Sequence, residues 1–237
     1  MKEIKQKMKE NRNHKILKNL RKHNNFKFIY YCLTSLFLFS CSSSNDDNPT
    51  TPIVPKSVQQ RLNLGETPIH IYNSGIILDS IYGRNYKGGL IFHLNTSNGS
   101  GLLAHFQDNS SAVNWGGFGD VTDANNTAIG FGQQNSNAIM NYYLQTNTAA
   151  DFCDNLTIST YNDWYLPSKD EMNKMMLILK NKPGVYFGAV SGYWTSSNFN
   201  FNQAWIIRSD NTPITSNKFD SNNTYDIRIR AVRTFIE

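Results

Sequence analysis

No stretch of this chain is both apolar enough and long enough to cross a bilayer. The longest apolar run, Phe26 to Phe39, stops at Ser40-Cys41, short of the roughly 20 residues a spanning helix needs. Cysteine is scarce as well. Of Cys32, Cys41 and Cys153, only Cys153 lies beyond the N-terminal region, so an intradomain disulfide is excluded there. The Gly-x-x-x-x-Gly-Lys-Ser/Thr order of a phosphate loop is missing, and no His-x-x-His or His-Glu-x-x-His spacing occurs, which removes the usual bases for nucleotide and metal hydrolysis.

Basic charge is also missing from most of the chain, although the formal total over 237 residues is +5. Residues 1–40 hold ten basic and two acidic side chains, while the 197 residues that follow hold 13 basic and 16 acidic ones, a net of −3. Nucleic acid is therefore not expected as a partner. With 39% hydrophobic and 17% charged residues, the chain has the composition of one folded domain behind a leader.

The leader carries a basic segment and then the short apolar run, the proportions of a secretory signal. The junction Leu38-Phe39-Ser40-Cys41 resembles a bacterial lipobox, with Cys41 as the acylated first residue. An ordinary cleaved signal with an incidental cysteine is the alternative, and Met1 and Met8 both stand as starts. Acylation tethers a protein rather than inserting it, because two or more chains give stable anchoring where one gives only marginal binding. Ser42-Ser-Ser-Asn-Asp-Asp-Asn48 resembles the Ser-plus-acidic tether of Bacteroidota-type surface lipoproteins. The segment 41–62, with Pro49, Pro52 and Pro55 among polar residues, reads as a flexible tether. The expected order is signal peptide 1–40, tether 41–62 and domain 63–237, lipid-anchored in the outer membrane and facing the exterior, with the periplasmic face as second choice.

In the domain, Ile69–Tyr72, Gly75–Leu78, Gly89–Leu94 and Leu102–Phe106 are β-like runs, the last two forming a hairpin around Asn95–Gly101. Asn114-Trp-Gly-Gly-Phe-Gly119 reads as close backbone packing around Trp115. Ser136–Tyr143 and Thr148–Leu156 are helical, and Cys153 shares an inward stripe with Ala149, Phe152 and Leu156. Ser168-Lys-Asp-Glu171 is a capping box. Behind it Met172, Met175, Met176 and Leu179 recur at helical spacing, and Pro183-Gly184 ends the helix. Gly192–Ser196, Gln203–Arg208 and Tyr225–Arg233 read as strands. In the last, alternation places Ile227, Ile229 and Ala231 inward, with Arg228 and Arg230 on a solvated face and Arg233 on the other. The whole predicts an α+β fold with two to three helices and both ends of the domain in one antiparallel sheet.

Several segments taken in order are similar to the Lcl C-terminal domain family. They are Lys87-Gly-Gly-Leu-Ile-Phe-His-Leu94, Asn114-Trp-Gly, Thr127-Ala-Ile-Gly130, Asp163-Trp-Tyr-Leu-Pro-Ser-Lys-Asp-Glu-Met172, Gly192-Tyr-Trp-Thr-Ser-Ser197, Ala204-Trp205 and Ile229-Arg-Ala-Val-Arg233. The resemblance covers about residues 75–236 and implies a C-type-lectin-like fold. It makes Pro167, Trp164, Trp194 and Trp205 structural, and it implies little about activity. The collagen-like Gly-x-y repeat of the adhesin for which that family is named is absent here.

The expected function is a surface binding or adhesion head whose ligand is a glycan or other extracellular polymer. The loop Ser196-Ser-Asn-Phe-Asn-Phe-Asn-Gln203 supplies the candidate ligand-binding residues Phe199, Asn200, Phe201 and Asn202, because rings stack on sugar faces and amides bond hydroxyls. Asn is abundant everywhere, 26 of those 197 residues, so Phe199 and Phe201 carry more weight. The alternative is an accessory lipoprotein with protein partners only. An enzyme is not expected: a formylglycine-generating type needs paired reactive cysteines, and His70, His93 and His105 form no metal motif. The Glu-Pro-Asn or Gln-Pro-Asp loop and Trp-Asn-Asp strand of calcium-dependent lectins are absent, so neither metal nor cofactor is expected.

Overall fold

The computed structural model describes residues 54–108, 113–144, 147–188, 190–219 and 226–237. The expected signal peptide, Cys41 and most of the expected tether lie outside them. Folded structure begins at Ser57, inside the segment expected to be tether. The Ser57 hydroxyl accepts from the Gln60 amide and the Gln60 side chain returns to the Ser57 amide, a capping box that starts α1 (Val58–Asn63). Leu62 is buried, which places this helix in the domain.

The expected strands at Ile69–Tyr72 and Gly75–Leu78 are helical instead. Thr67 caps α2 (Pro68–Asn73), with Pro68 at the first helical position, where its missing N–H costs nothing. Gly75 turns the chain at φ +95° before α3 (Leu78–Ile81). Ile71 and Ile81 are fully buried with Ile91, Leu103 and Phe235. These three short helices cover one face of the first sheet.

That sheet has the order β1 (Asn85–Tyr86), β2 (Gly89–Leu94), β3 (Gly101–Ala104), β8 (Val232–Phe235), all antiparallel. The β2–β3 hairpin is as expected, and the first and last described strands share this sheet, although the start of the domain is helical rather than part of it. A second sheet has the order β6 (Pro213–Asn217), β5 (Gln203–Ile207), β4 (Gly192–Asn198), β7 (Ile227–Arg228), antiparallel except for the β4–β7 pair. The expected single strand through Arg233 is therefore two. β7 ends in one sheet, the chain crosses at Ile229–Ala231, and β8 enters the other. The fold is mixed helix and sheet with antiparallel sheets, an α+β arrangement of six described α-helices rather than two or three.

The central helices are α4 (Gly132–Tyr143), α5 (Ala149–Asp154) and α6 (Lys169–Leu179). Met172, Met175, Met176 and Leu179 of α6 are fully buried with Leu90 and Phe92 of the first sheet and Tyr193 and Ile207 of the second. Each such side chain stabilises the fold by on the order of 1.5–3 kcal/mol through burial. Cys153 is buried among Ala149, Trp115 and Ile139.

The expected solvated face fails at Arg230, while Arg233, expected on the opposite face, does lie inward. Arg230 is buried and ion-paired to Asp108 at 2.7 Å, and Arg233 is buried and ion-paired to Asp163 at 2.7 Å. Only Arg228 of the three keeps a partly exposed side chain, paired with Asp226. A guanidinium can sit inside when its fork is met by a carboxylate, and neither carboxylate is near its partner in sequence.

Candidate functional site: an aromatic face on three loops

The capping box at the start of α6 does more than begin a helix. Glu171 is fully buried and accepts from the amides of Ser168 and Gly130, both at 2.8 Å. The Ser168 hydroxyl donates to the Ala128 carbonyl, and the Asp170 amide donates to that of Thr127. Gly132 is required here, because a Cβ would lie 2.2 Å from the Glu171 carboxylate. Ser197 completes the weave, accepting from the Lys169 amide and donating to the Asn126 carbonyl. Residues 126–132 are thus sewn to the start of α6 and to the end of β4, and these bonds account for the Ser-Lys-Asp-Glu, Thr-Ala-Ile-Gly and Thr-Ser-Ser segments as structural.

At that end of β4 the chain turns through Phe199–Asn202 into β5. Asn200 Oδ1 accepts from the amides of Asn202 at 2.9 Å and Gln203 at 2.8 Å, so its oxygen is committed to the turn rather than to a ligand. The four expected residues are brought together and all are exposed, Phe199 at 48% and Phe201 at 58%. The Phe199 ring stands edge-on to Trp205 at 5.1 Å, and the Lys169 ammonium lies 4.9 Å from the Trp205 ring on the same surface. Trp205 is half-buried at the base of the loop, whereas Trp115, Trp164 and Trp194 are interior.

Two further loops join this one. The Gly119 amide donates to the Phe201 carbonyl and the Lys218 amide to that of Asn202, both at 2.9 Å. Phe118 and Phe219 are thereby carried alongside, their rings 6.2 Å apart and 57% and 45% exposed. Tyr142 of α4, half exposed, packs where a side chain on Gly119 would otherwise be. Phe118, Phe219 and Tyr142 escaped the sequence reading. Their signal is weak, large aromatics flanked by Gly, Asp or Asn with no periodicity to bury them.

Beneath the junction lies Lys218, whose side chain is fully buried. Its ammonium donates to the Gly119 carbonyl and sits 4.7 Å from the centre of the Trp115 ring. Burial pushes its pKa down to about 8, while the nearby charge of Asp120 works in the opposite direction. Asn198, also buried, donates from Nδ2 to Asp120 Oδ1 and Asn125 Oδ1, both at 2.7 Å. The β4–β5 loop and residues 118–125 are therefore held by backbone, amide and ammonium contacts together, and the aromatic face is preformed.

The chemistry of the face is stacking and hydrogen bonding. The Cys153 thiol is buried and its pKa is raised by that burial. His93 and His105, lowered by burial, belong to the first-sheet side of the fold, and His70 is exposed on α2. Among the described residues no group of three or more His, Cys, Asp and Glu is arranged to hold a metal ion. No protein-family model matches the chain, and no curated protein matches it.

Proposed function

We propose that this chain is an outer-surface lipoprotein, anchored through Cys41, whose folded head binds a glycan or another extracellular polymer through the aromatic face. The observation that carries this reading is the set Phe118, Phe199, Phe201 and Phe219, four rings between 45% and 58% exposed and held together on three cross-bonded loops. Leaving that much ring surface in water is costly unless a partner covers it. Aromatic rings with amides close by match the apolar faces and hydroxyl rims of sugars.

The ordered resemblance to the Lcl C-terminal domain family supports a C-type-lectin-like head of the α+β class. The lipobox-like junction supports a membrane tether, with the head on the exterior side. A non-catalytic role fits the buried, unreactive setting of Cys153.

Phenylalanine offers no polar handle, unlike Tyr or Trp, and this favours the second reading, an accessory surface protein with protein partners only. A glycan array probed with the full-length protein, with and without EDTA, separates the two. Saturable sugar binding that falls at least tenfold in the doubly substituted Phe199→Ala, Phe201→Ala protein is the expected result. A flat array would remove the carbohydrate form and leave the protein-partner reading. Metabolic labelling of Cys41 with palmitate tests the anchor, and proteolysis of intact cells tests the exterior placement.

A further inference from the structure

A second cleft, of about 500 Å³, is lined by Phe106, Gln107, Asp108, Tyr186, Arg228 and Arg230. It shares no residue with the aromatic face. Arg230 forms its inner wall, with a side chain only 1% exposed. The Phe187 ring lies against one face of the guanidinium, and Nη2 is engaged by Asp108 and the Tyr186 carbonyl. Nε and Nη1 are buried and have no acceptor among the described residues, and the cleft is the side left to them.

Asp108 repeats this pattern with the opposite sign. Its Oδ2 accepts from the Tyr193 hydroxyl and the Gly188 amide. Its Oδ1, buried and 2.7 Å from Arg230 Nη2, receives no hydrogen bond among the described residues. Burial draws the Arg230 pKa down, while the charge of Asp108 works to raise it. Buried polar atoms without partners are costly and uncommon, and here two donors and one acceptor border a single cleft.

The complementary ligand accepts from Arg230 and donates to an oxygen beside it. A carboxylate is the natural acceptor for a guanidinium, and an ammonium the natural donor to Asp108. A sulfate brings acceptors but no donor, and it sets its charge against Asp108. Around the cleft Arg228 is paired with Asp226 and Arg230 with Asp108, so the wall is balanced and suits a ligand without net charge. A peptide carries its ammonium and carboxylate at opposite ends, whereas a free amino acid carries both on one carbon. Tyr186, 71% exposed at the rim, and Phe106 offer ring surface to its side chain.

We propose that this cleft is a binding site for a free α-amino acid, with its carboxylate on the unpaired N–H groups of Arg230 and its ammonium on Asp108 Oδ1. The site is independent of the glycan-binding reading.

The test uses full-length protein in detergent. The common α-amino acids, offered one at a time, are screened by thermal shift. The best of them is then measured by calorimetry against the amine and the carboxylic acid that each lack one of its two charged groups, and against sulfate. The amino acid is expected to bind at least tenfold more tightly than either truncated analogue, with no binding of sulfate. Tyr186→Ala removes an exposed ring but keeps the carbonyl that holds Arg230, and it is expected to weaken binding at least threefold without unfolding the head. Arg230→Lys keeps the charge and removes the fork, and it is expected to abolish binding. The Phe199→Ala, Phe201→Ala protein is expected to bind as wild type does. No shift with any amino acid, equal affinity for either analogue or for sulfate, or indifference to Tyr186→Ala would overturn the site. Loss of binding in the doubly substituted protein would place the amino acid on the aromatic face and overturn it too.

Discussion

Asp108 and Arg230, 122 positions apart in the chain, meet at 2.7 Å in the interior, with the guanidinium lying 4.1 Å from the centre of the Phe187 ring. Asp108 also accepts from the Tyr193 hydroxyl at 2.7 Å and the Gly188 amide at 2.8 Å. The pair thus ties the end of the β2–β3 region to the segment before β4 and to the crossing between β7 and β8. Arg230→Met alone leaves a buried carboxylate without its cation, and a cost of about 3–5 kcal/mol is expected. The double variant Asp108→Asn, Arg230→Met is expected to recover most of that loss. Urea midpoints of the four proteins form the cycle, and additive costs would show that the two groups are not coupled.

Lys218 makes stability depend on pH in a defined direction. Its folded pKa of about 8 lies below the ordinary lysine value near 10.4, so between these values the unfolded chain binds more protons than the folded one. Stability therefore rises as pH climbs from 8 toward 10, and the contribution is lost as pH falls through 8. Replacing Lys218 by Met removes the titrating group. The difference in unfolding free energy between wild type and K218M, measured by denaturant at pH 7.5, 8.5 and 9.5, is expected to shift in favour of wild type at each step. A pH-independent difference would place the lysine in an ordinary solvated setting.

Gly132 and Gly130 are a paired test of the woven loops. A Cβ at position 132 would collide with the Glu171 carboxylate and approach the Tyr165 ring to 2.7 Å, whereas none of the neighbours lies within 4 Å of one at position 130. Gly132→Ala is expected to destabilise by more than about 2 kcal/mol through overpacking and loss of the capping geometry. Gly130→Ala should cost only the strain of its φ of +95°, about 1 kcal/mol. Thermal melts rank the two, and a reversed order would contradict the buried weave.

Cys153 is expected to resist a thiol reagent in native buffer and to react at once in denaturant, because it is fully buried with its pKa raised. Native-state labelling in a protein whose Cys32 and Cys41 are replaced by Ser would show that α5 opens.

Local signals were the legible ones. The Ser168–Glu171 capping box, the Met stripe behind it and the β2–β3 hairpin each lie within a dozen or so residues, and each is found as read. The run Ile69–Tyr72 misled because a short apolar stretch has no periodicity to separate strand from helix; Thr67-Pro68, a cap followed by a first-turn proline, held the deciding information. Arg230 reads as solvated because Asp108, which admits it to the interior, is remote in sequence; the partners of Arg233 and Lys218, Asp163 and Gly119, are equally remote. Of the candidate site, Phe199 and Phe201 were legible as aromatics in a polar loop. Phe118 and Phe219 become part of it only through the bonds from Gly119 to Phe201 and from Lys218 to Asn202.

The crossing at Ile229–Ala231 bears on when this head can form. β7 completes one sheet and β8 the other, and both belong to the last dozen residues of the chain. The β2–β3, β4–β5 and β5–β6 pairs are local, whereas β3–β8 and β4–β7 are long-range and are the slow ones to form. Both sheets therefore take an edge strand from one short segment, so removing residues 226–237 is expected to open the two sheets together rather than one at a time.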